Sequence, residues 1–361
     1  MAVLGGGQLG RMLGLAAIPL GVAFRFLDPS PDAPAAAVGE LVVGGLDDEA
    51  ALDEVARGAD VVTYEWEGVP ATSARHLAAH GMPVRPGDRS LEVSQDRLVE
   101  KDTFRALGVG TPEYRAVSSR PDLDTAVDAI GLPAVLKTRR GGYDGKGQAV
   151  LRAPSDLDAA WTSLGDVPLI LEAFVPFDRE LSIVGVRGVD GAIACWRVVE
   201  NEHRDGILHL TRAPAPSSEA LTARAQEIAS ELLLALDHVG VLAIELFDVE
   251  GDLLANEVAP RVHNSGHWTI EGAMTSQFEN HVRAVLGLPL GDTSARGTAA
   301  MLNCVGAMPD AGAVLTVPGA HLHDYGKAAR PGRKLGHITV VADSPADLDA
   351  RLARLLPLVD R

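Results

Sequence analysis

The sequence predicts an α/β protein of more than one domain that opens with a parallel, doubly wound sheet. Residues 1–90 alternate short apolar runs with helical stretches in β-α-β-α order, which calls for parallel strands joined by helical crossovers. Residues 179–258 read instead as strands in succession, interrupted by a helix at about 218–236, and so belong to a second sheet. A chain of 361 residues has room for two or three domains, and 47% hydrophobic with 22% charged residues can fill sizeable cores.

Taken in order, Ala2–Leu4 is a short strand and Gln8–Ala17 a helix. Strands follow at 22–28, before the loop "DPSPDAP", and at 40–44. A helix over 48–56 leads to a strand over 60–67, and a helix over 70–81 closes on Gly81. One long helix is expected over 90–107, stopped by "GVGTP". Residues 111–175 form a small α/β unit, with a glycine-rich run between strands at Ala134–Thr138 and 148–152. A helix is expected over 271–287, and residues 296–361 mix strands with a last helix over 345–355.

The formal net charge of −17 and pI near 5.0 argue against a nucleic-acid or membrane-surface partner. They leave room for anionic substrates held by a few placed cations. Cys195 and Cys304 have no Cys or His neighbour at metal-ligand spacing and read as small core residues of a reduced, cytoplasmic protein. The N-terminus has neither a basic n-region nor a cleavage site, and no apolar run reaches the ~18 residues of a membrane span, so neither leader nor anchor is expected.

Three constellations carry chemistry. In "MAVLGGGQLGRMLGL", Gly5, Gly7 and Gly10 fit G-x-G-x-x-G, a turn that aims amides and a helix N-terminus at an anion, and Asp28 sits near the place of a ribose-binding acid. In "LKTRRGGYDGKGQ", Lys137 ends a strand and Lys146 tips a loop freed by Gly141, Gly142, Gly145 and Gly147. That combination suits a polyphosphate, although the Walker ending is absent. In "GVLAIELFDVEGDLLANEVAPRVHNSGH", two apolar strands flank a turn at Gly251. A loop of 250–252 sets Glu245 opposite Glu257, whereas a two-residue loop sets it opposite Asn256. Facing carboxylates repel unless a cation lies between them, and an oxygen-rich pair suits Mg²⁺.

A strand-borne lysine, a glycine-rich loop and a Glu…Asn-Glu hairpin, in that order, resemble the ATP-grasp ligases along essentially the whole chain. "GGGQLGRM", "DP", "TYEWE", "GGYDGKGQ", "NEVAPRVHNSGHWT" and "RPGRKLGH" are together similar to the branch that carboxylates 5-aminoimidazole ribonucleotide. The resemblance implies a Rossmann-like N-terminal domain over 1–95, an ATP-grasp domain over 96–288 with a small mobile part at about 111–175, and a short C-terminal α+β domain over 289–361. It implies that aminoimidazole ribonucleotide, ATP and bicarbonate give N5-carboxyaminoimidazole ribonucleotide, ADP and phosphate through carboxyphosphate, in purine biosynthesis. It also implies Mg²⁺, with Mn²⁺ as a substitute, and a homodimer. The nearest rival is a formate-using glycinamide ribonucleotide transformylase of the same superfamily. An NAD-dependent oxidoreductase is disfavoured by the hairpin and the second glycine loop.

Carried over motif by motif, the resemblance gives Arg97 and Lys137 to ATP, and the loop Gly142, Tyr143, Asp144, Gly145, Lys146, Gly147 and Gln148 to the triphosphate. Glu172, Ala173, Phe174 and Val175 become a hinge that reads adenine by backbone groups, Glu180 takes the ribose, and His203 lies near the nucleotide. Glu245 and Glu257 become metal ligands, with Asn256 beside them. Arg261 and His263 are to grip bicarbonate or carboxyphosphate. Glu65 is to orient the aminoimidazole, with Glu67 as the alternative because both are read on one strand face. Gly7, Gln8 and Leu9 are assigned to the substrate, together with Lys327, Arg333 and Lys334 from the basic cluster that also holds Arg330.

Overall fold

The computed structural model describes residues 1–142 and 145–360. The expected parallel sheet is present, ordered Glu40–Val43, Arg25–Asp28, Ala2–Leu4, Val62–Tyr64, with every neighbouring pair parallel. Alternation along its short strands fills two cores. Val3 and Phe26 face Met12 and Leu13 of the helix Gln8–Ala17, whereas Leu4, Leu27 and Tyr64 face Leu52 and Leu77 of the helices Glu49–Ala56 and Ala71–Ala79. The first core continues through Val184, Val241 and Val282, so this sheet is fixed on the second one.

Among the described residues the second sheet has nine strands, all pairs antiparallel. Its order runs Asp252–Ala259, Gly240–Val249, Arg179–Arg187, Val199–Arg204, Ile207–Ala213, Thr298–Val305, Lys334–Ala342, Ala320–Asp324, with Ile193–Cys195 added to Arg179–Arg187. The C-terminal strands thus extend the same sheet through the pairing of Ile207–Ala213 with Thr298–Val305. A third, antiparallel sheet, ordered Tyr114–Val117, Leu169–Ala173, Ala134–Thr138, Gln148–Leu151, carries the glycine-rich loop.

Three expectations need correction. The long helix over 90–107 is two helices, Asp88–Ser94 and Arg97–Ala106. Asp96 caps the second by accepting from the Leu98 amide, and Arg139 holds the same carboxylate through two bonds of 2.9 and 2.7 Å. The helix over 271–287 is likewise broken into Thr269–Gly272 and Gln277–Leu286, with Ser276 capping the second. The strands over 22–28 and 60–67 shrink to Arg25–Asp28 and Val62–Tyr64. Glu65 and Glu67 therefore lie beyond the strand end and are free to diverge.

Candidate active site

The three sheets converge on a cleft of about 730 Å³. One wall is the hairpin Gly240–Val249/Asp252–Ala259. Its turn has two residues, Glu250 and Gly251, with φ of 54° and 93°, the left-handed pair of a tight hairpin turn. That turn alone would set Glu245 opposite Asn256. A bulge between Leu246↔Ala255 and Glu245↔Glu257 skips Asn256 and brings the two glutamates face to face.

The bulge is gripped from behind by the helix Arg97–Ala106. Lys101, wholly buried, donates from Nζ to Ala255 O (3.2 Å) and Asn256 O (2.6 Å). Glu100 Oε1 accepts from the Val258 amide at 2.5 Å, and Arg97 Nη1 donates to Glu257 Oε2 at 3.1 Å. Spacings of three and four residues place all three side chains on one helix face. Burial pushes Glu100 up to about 8, against the pull of Lys101 and Arg97. Burial and the facing Glu257 together raise Glu245 to about 7. Asn256 Oδ1 is buried with no hydrogen-bond partner. Two crowded carboxylates and an orphaned amide oxygen make an all-oxygen donor set that fits Mg²⁺.

Lys137 lies on the neighbouring sheet, 2.9 Å from Glu172 Oε2, and Lys101 Nζ lies 3.6 Å from the same atom. Burial opposes the charge of Glu172, yet Lys101 and Lys137 hold it down to about 2. The Glu172 side chain is therefore a buried counter-ion for two lysines. Of the hinge amides, Ala173 N and Phe174 N donate to Glu113 O and Pro133 O, so these two N–H groups are already engaged. Gly142, Gly145, Lys146 and Gln148 line the cleft, whereas Gly147 does not. Gly147 has φ of 71°, and a Cβ there would meet Thr138 Oγ1 at 2.7 Å. Tyr143 and Asp144 lie outside the described residues. Glu180 and His203 meet across paired strands, Oε2 to Nδ1 2.6 Å.

The segment after the hairpin is held by Gln277, whose Oε1 accepts from the His263 amide (2.9 Å) and whose Nε2 donates to His263 O (2.6 Å). A Cβ on Gly266 would meet Gln277 Oε1 at 2.4 Å, so this grip needs glycine there. His263 Nδ1 accepts from the Ser265 amide, which leaves the hydrogen on Nε2, 3.6 Å from Glu245 Oε1. Burial, followed by Arg261 and Lys334, pushes His263 down to about 3, so the ring is neutral. Arg261 Nε donates to Glu67 Oε2 and Nη1 to Val262 O, leaving the Nη2 edge with no acceptor among the described residues.

Glu65 does not line this cleft; Glu67 does. Glu65 Oε1 accepts from the Gly7 amide at 2.5 Å and Oε2 from the Gly10 amide at 2.8 Å. A Cβ on Gly5 or Gly7 would strike Glu65 at 2.7 or 2.5 Å. The glycines of the opening turn make room for a carboxylate of the chain itself, and the Gly7 amide is turned away from any ligand. Gln8 and Leu9, at the helix start, do line the cleft. Gln8 Oε1 accepts from Lys327 Nζ at 3.1 Å, and burial lowers Lys327 to about 8. Lys334 lines the cleft, whereas Arg333 lies off it and donates to Ala328 O in its own loop.

Sequence reasoning missed Lys101, Glu100, Asp96, Arg139 and Gln277. Lys101 left a readable signal, because it falls three residues before Phe104 on the helix stripe that is buried. A cation on the buried stripe of a helix, here beside Glu100 and Phe104, has a buried partner to find.

Three family matches tile this fold: a ribonucleotide synthetase preATP-grasp domain over residues 1–95, an ATP-grasp domain over 102–278, and a phosphoribosylaminoimidazole carboxylase C-terminal domain over 299–351. Fold and cleft together define an ATP-grasp ligase. The chain is 52% identical over 360 residues to the N5-carboxyaminoimidazole ribonucleotide synthase of Pseudomonas aeruginosa, covering 100% of this chain and 99% of that one. It superposes with TM-score 0.96 and 56% identity on the crystal structure of N5-carboxyaminoimidazole ribonucleotide synthetase from Thermus thermophilus, covering 100% and 98% of the two chains. It also superposes, with TM-score 0.93 and 34% identity over 100% and 98%, on the Aspergillus clavatus enzyme in complex with ADP and 5-aminoimidazole ribonucleotide. The chain belongs to the N5-carboxyaminoimidazole ribonucleotide synthase family.

Proposed function

We propose that the cleft carries out the family's reaction, ATP-dependent carboxylation of 5-aminoimidazole ribonucleotide with bicarbonate, with the following division of labour. Arg97 and Lys137 face the phosphates of ATP, and the loop from Gly142 to Gln148 covers them. Glu245, Glu257 and Asn256 Oδ1 hold Mg²⁺, which neutralises phosphate charge when bound; Mn²⁺ offers similar chemistry. Glu180, kept in place by His203, faces the ribose.

Bicarbonate sits against the free Nη2 edge of Arg261 and the Nε2–H of neutral His263. One of its oxygens attacks the γ-phosphorus, the bond to the β-phosphate oxygen breaks, and ADP leaves. The substrate amine then attacks the carbon of carboxyphosphate, the carbon–oxygen bond to phosphorus breaks, and phosphate departs with the amine proton. Arg261 and His263 are fixed before the reaction and face the place where the anion forms, so little reorganisation is needed. Glu67 holds Arg261 and takes the part expected of Glu65. Gln8, Leu9, Lys327 and Lys334 bind the ribonucleotide phosphate at the start of the first helix.

The observation that supports this reading best is the facing pair Glu245 and Glu257 beside an orphaned Asn256 Oδ1, in a cleft shared with Arg97, Lys137 and Arg261. The reading includes a homodimer in the cytoplasm; among the described residues no helix is long and apolar enough to cross a membrane. ADP release measured with each combination of aminoimidazole ribonucleotide, bicarbonate and formate tests it. Turnover is expected with bicarbonate and the aminoimidazole nucleotide together, and formate-dependent turnover would transfer the chain to the transformylase reading.

A further inference from the structure

We propose that the outer face of the N-terminal sheet carries a second metal site, for a divalent transition ion of the Zn²⁺ class, built from Asp53, His76 and His80. His76 lies on the helix Ala71–Ala79, and His80, four residues on, caps its end on the same face. Asp53 lies on the adjacent helix Glu49–Ala56, with Glu49 one turn before it. One ligand atom from each of Asp53, His76 and His80 lies within 4.8 Å of the others. His76 Nε2 is 2.9 Å from Asp53 Oδ1, and His76 Nδ1 is 3.7 Å from Glu49 Oε1. The two imidazole rings are 4.5 Å apart between centroids.

Three features set this cluster apart from scattered surface charge. Its donors are two imidazoles and a carboxylate, which suit Zn²⁺ and its neighbours and not the all-oxygen preference of Mg²⁺. His80 Nδ1 lies 2.8 Å from His76 O. A carbonyl only accepts, so Nδ1 carries the hydrogen and Nε2 presents its lone pair, the arrangement that orients metal-binding histidines. The scaffold is also fixed beforehand. Leu52 and Leu77, adjacent in sequence to Asp53 and His76, are buried in one core, and Ser73 Oγ donates to Leu46 O at 2.7 Å. Little backbone ordering remains to oppose binding.

On binding, His76 gives up its Nε2 hydrogen and carries one on Nδ1, on the side of Glu49, so the ring stays a neutral ligand and the ion takes the place beside Asp53 Oδ1. Water completes the coordination, and Glu49, 3.7 Å from His76 Nδ1, faces the ring's other nitrogen. None of these residues lines the catalytic cleft. The ion therefore ties two helices of the N-terminal domain together and acts on stability, not on chemistry.

The test is calorimetric titration of Zn²⁺ into the metal-stripped full chain, with excess Mg²⁺ present to fill the cleft carboxylates, alongside thermal unfolding. The intact chain is expected to take up a single Zn²⁺ with micromolar affinity and to unfold at a higher temperature. Asp53→Asn and His80→Gln, both at exposed positions, should each weaken binding by about tenfold or more and lose the thermal shift. Their zinc-free carboxylation rates should be unchanged. Equal Zn²⁺ binding by the intact chain and both variants, or binding no tighter than millimolar, would overturn the site.

Discussion

A Cβ added at Gly7 would lie 2.5 Å from Glu65 Oε1, whereas one added at Gly145 would lie 3.2 Å from Gly206 Cα, on a loop that faces the cleft. In composition the two glycine-rich turns are alike. The first is filled from within: Glu65 takes the Gly7 and Gly10 amides that a dinucleotide phosphate would need. The second uses glycine for backbone shape, with φ near 70° at Gly141, Gly145 and Gly147, beside Lys137 and Lys146. A glycine pattern reports that something approaches the backbone closely; whether that is a ligand or the protein's own side chain depends on residues far away in sequence. Burial pushes Glu65 above the usual carboxylate range, and the two amides oppose that rise, so the contact is a structural one with much at stake.

The largest effect should come from the cleft side. Glu257→Ala is expected to lower ATP turnover by about 10³ or more, because the donor set that anchors the phosphates is broken. ADP release at saturating Mg²⁺ measures it, and ordinary turnover would remove Glu257 from the metal site. Arg261→Ala should cost about 10²–10³ in turnover while ATP affinity changes little, the mark of a donor that acts on the forming anion. Lys101→Met should raise the Mg²⁺ requirement by about tenfold, because the bulge that sets Glu257 opposite Glu245 loses its clamp, and Lys101→Arg should recover part of it. Equal Mg²⁺ dependence in both variants would separate the clamp from the metal site.

On the opening turn the readout should be stability. Glu65→Ala leaves the buried Gly10 amide and the half-buried Gly7 amide without an acceptor and should cost about 1–3 kcal/mol in denaturant unfolding. Gly145→Ala places a side chain at φ of 74° and should cost about 1–2 kcal/mol of local strain, with its main effect a slower turnover. If Glu65→Ala were as stable as the parent and lost only affinity for the ribonucleotide, the contrast between the two turns would collapse. The smallest effect is the lid itself: proteolysis near Gly142–Lys146 should slow a fewfold when an ATP analogue is added, and equal cleavage would count against closure.

What the sequence disclosed depended on distance along the chain. The parallel strands, the hairpin glutamates and the Lys137 strand were readable because period, turn chemistry and residue type all act locally. The break at Asp96 has a local signal, an Asp at a helix start whose carboxylate accepts from the Leu98 amide; what the sequence hides is Arg139 reaching back to hold the same carboxylate. The sequence leaves the pairing of Glu245 with Glu257 open between two loop lengths. Its answer, a two-residue turn plus a bulge, depends on Lys101, more than a hundred residues earlier. Alternation puts Glu65 and Glu67 on one strand face, but the strand ends at Tyr64 and they part company, one to the glycine turn and the other to Arg261.

The most direct test of the proposed chemistry follows an atom. If a bicarbonate oxygen attacks the γ-phosphorus, that oxygen leaves with phosphate when the amine takes the carbon. With freshly prepared bicarbonate carrying heavy oxygen, each productive turnover should place one labelled oxygen in inorganic phosphate, read by mass spectrometry. Arg261→Ala should slow label transfer and carboxylation together. Phosphate free of label, formed alongside carboxylated product, would contradict activation of bicarbonate by ATP in this cleft.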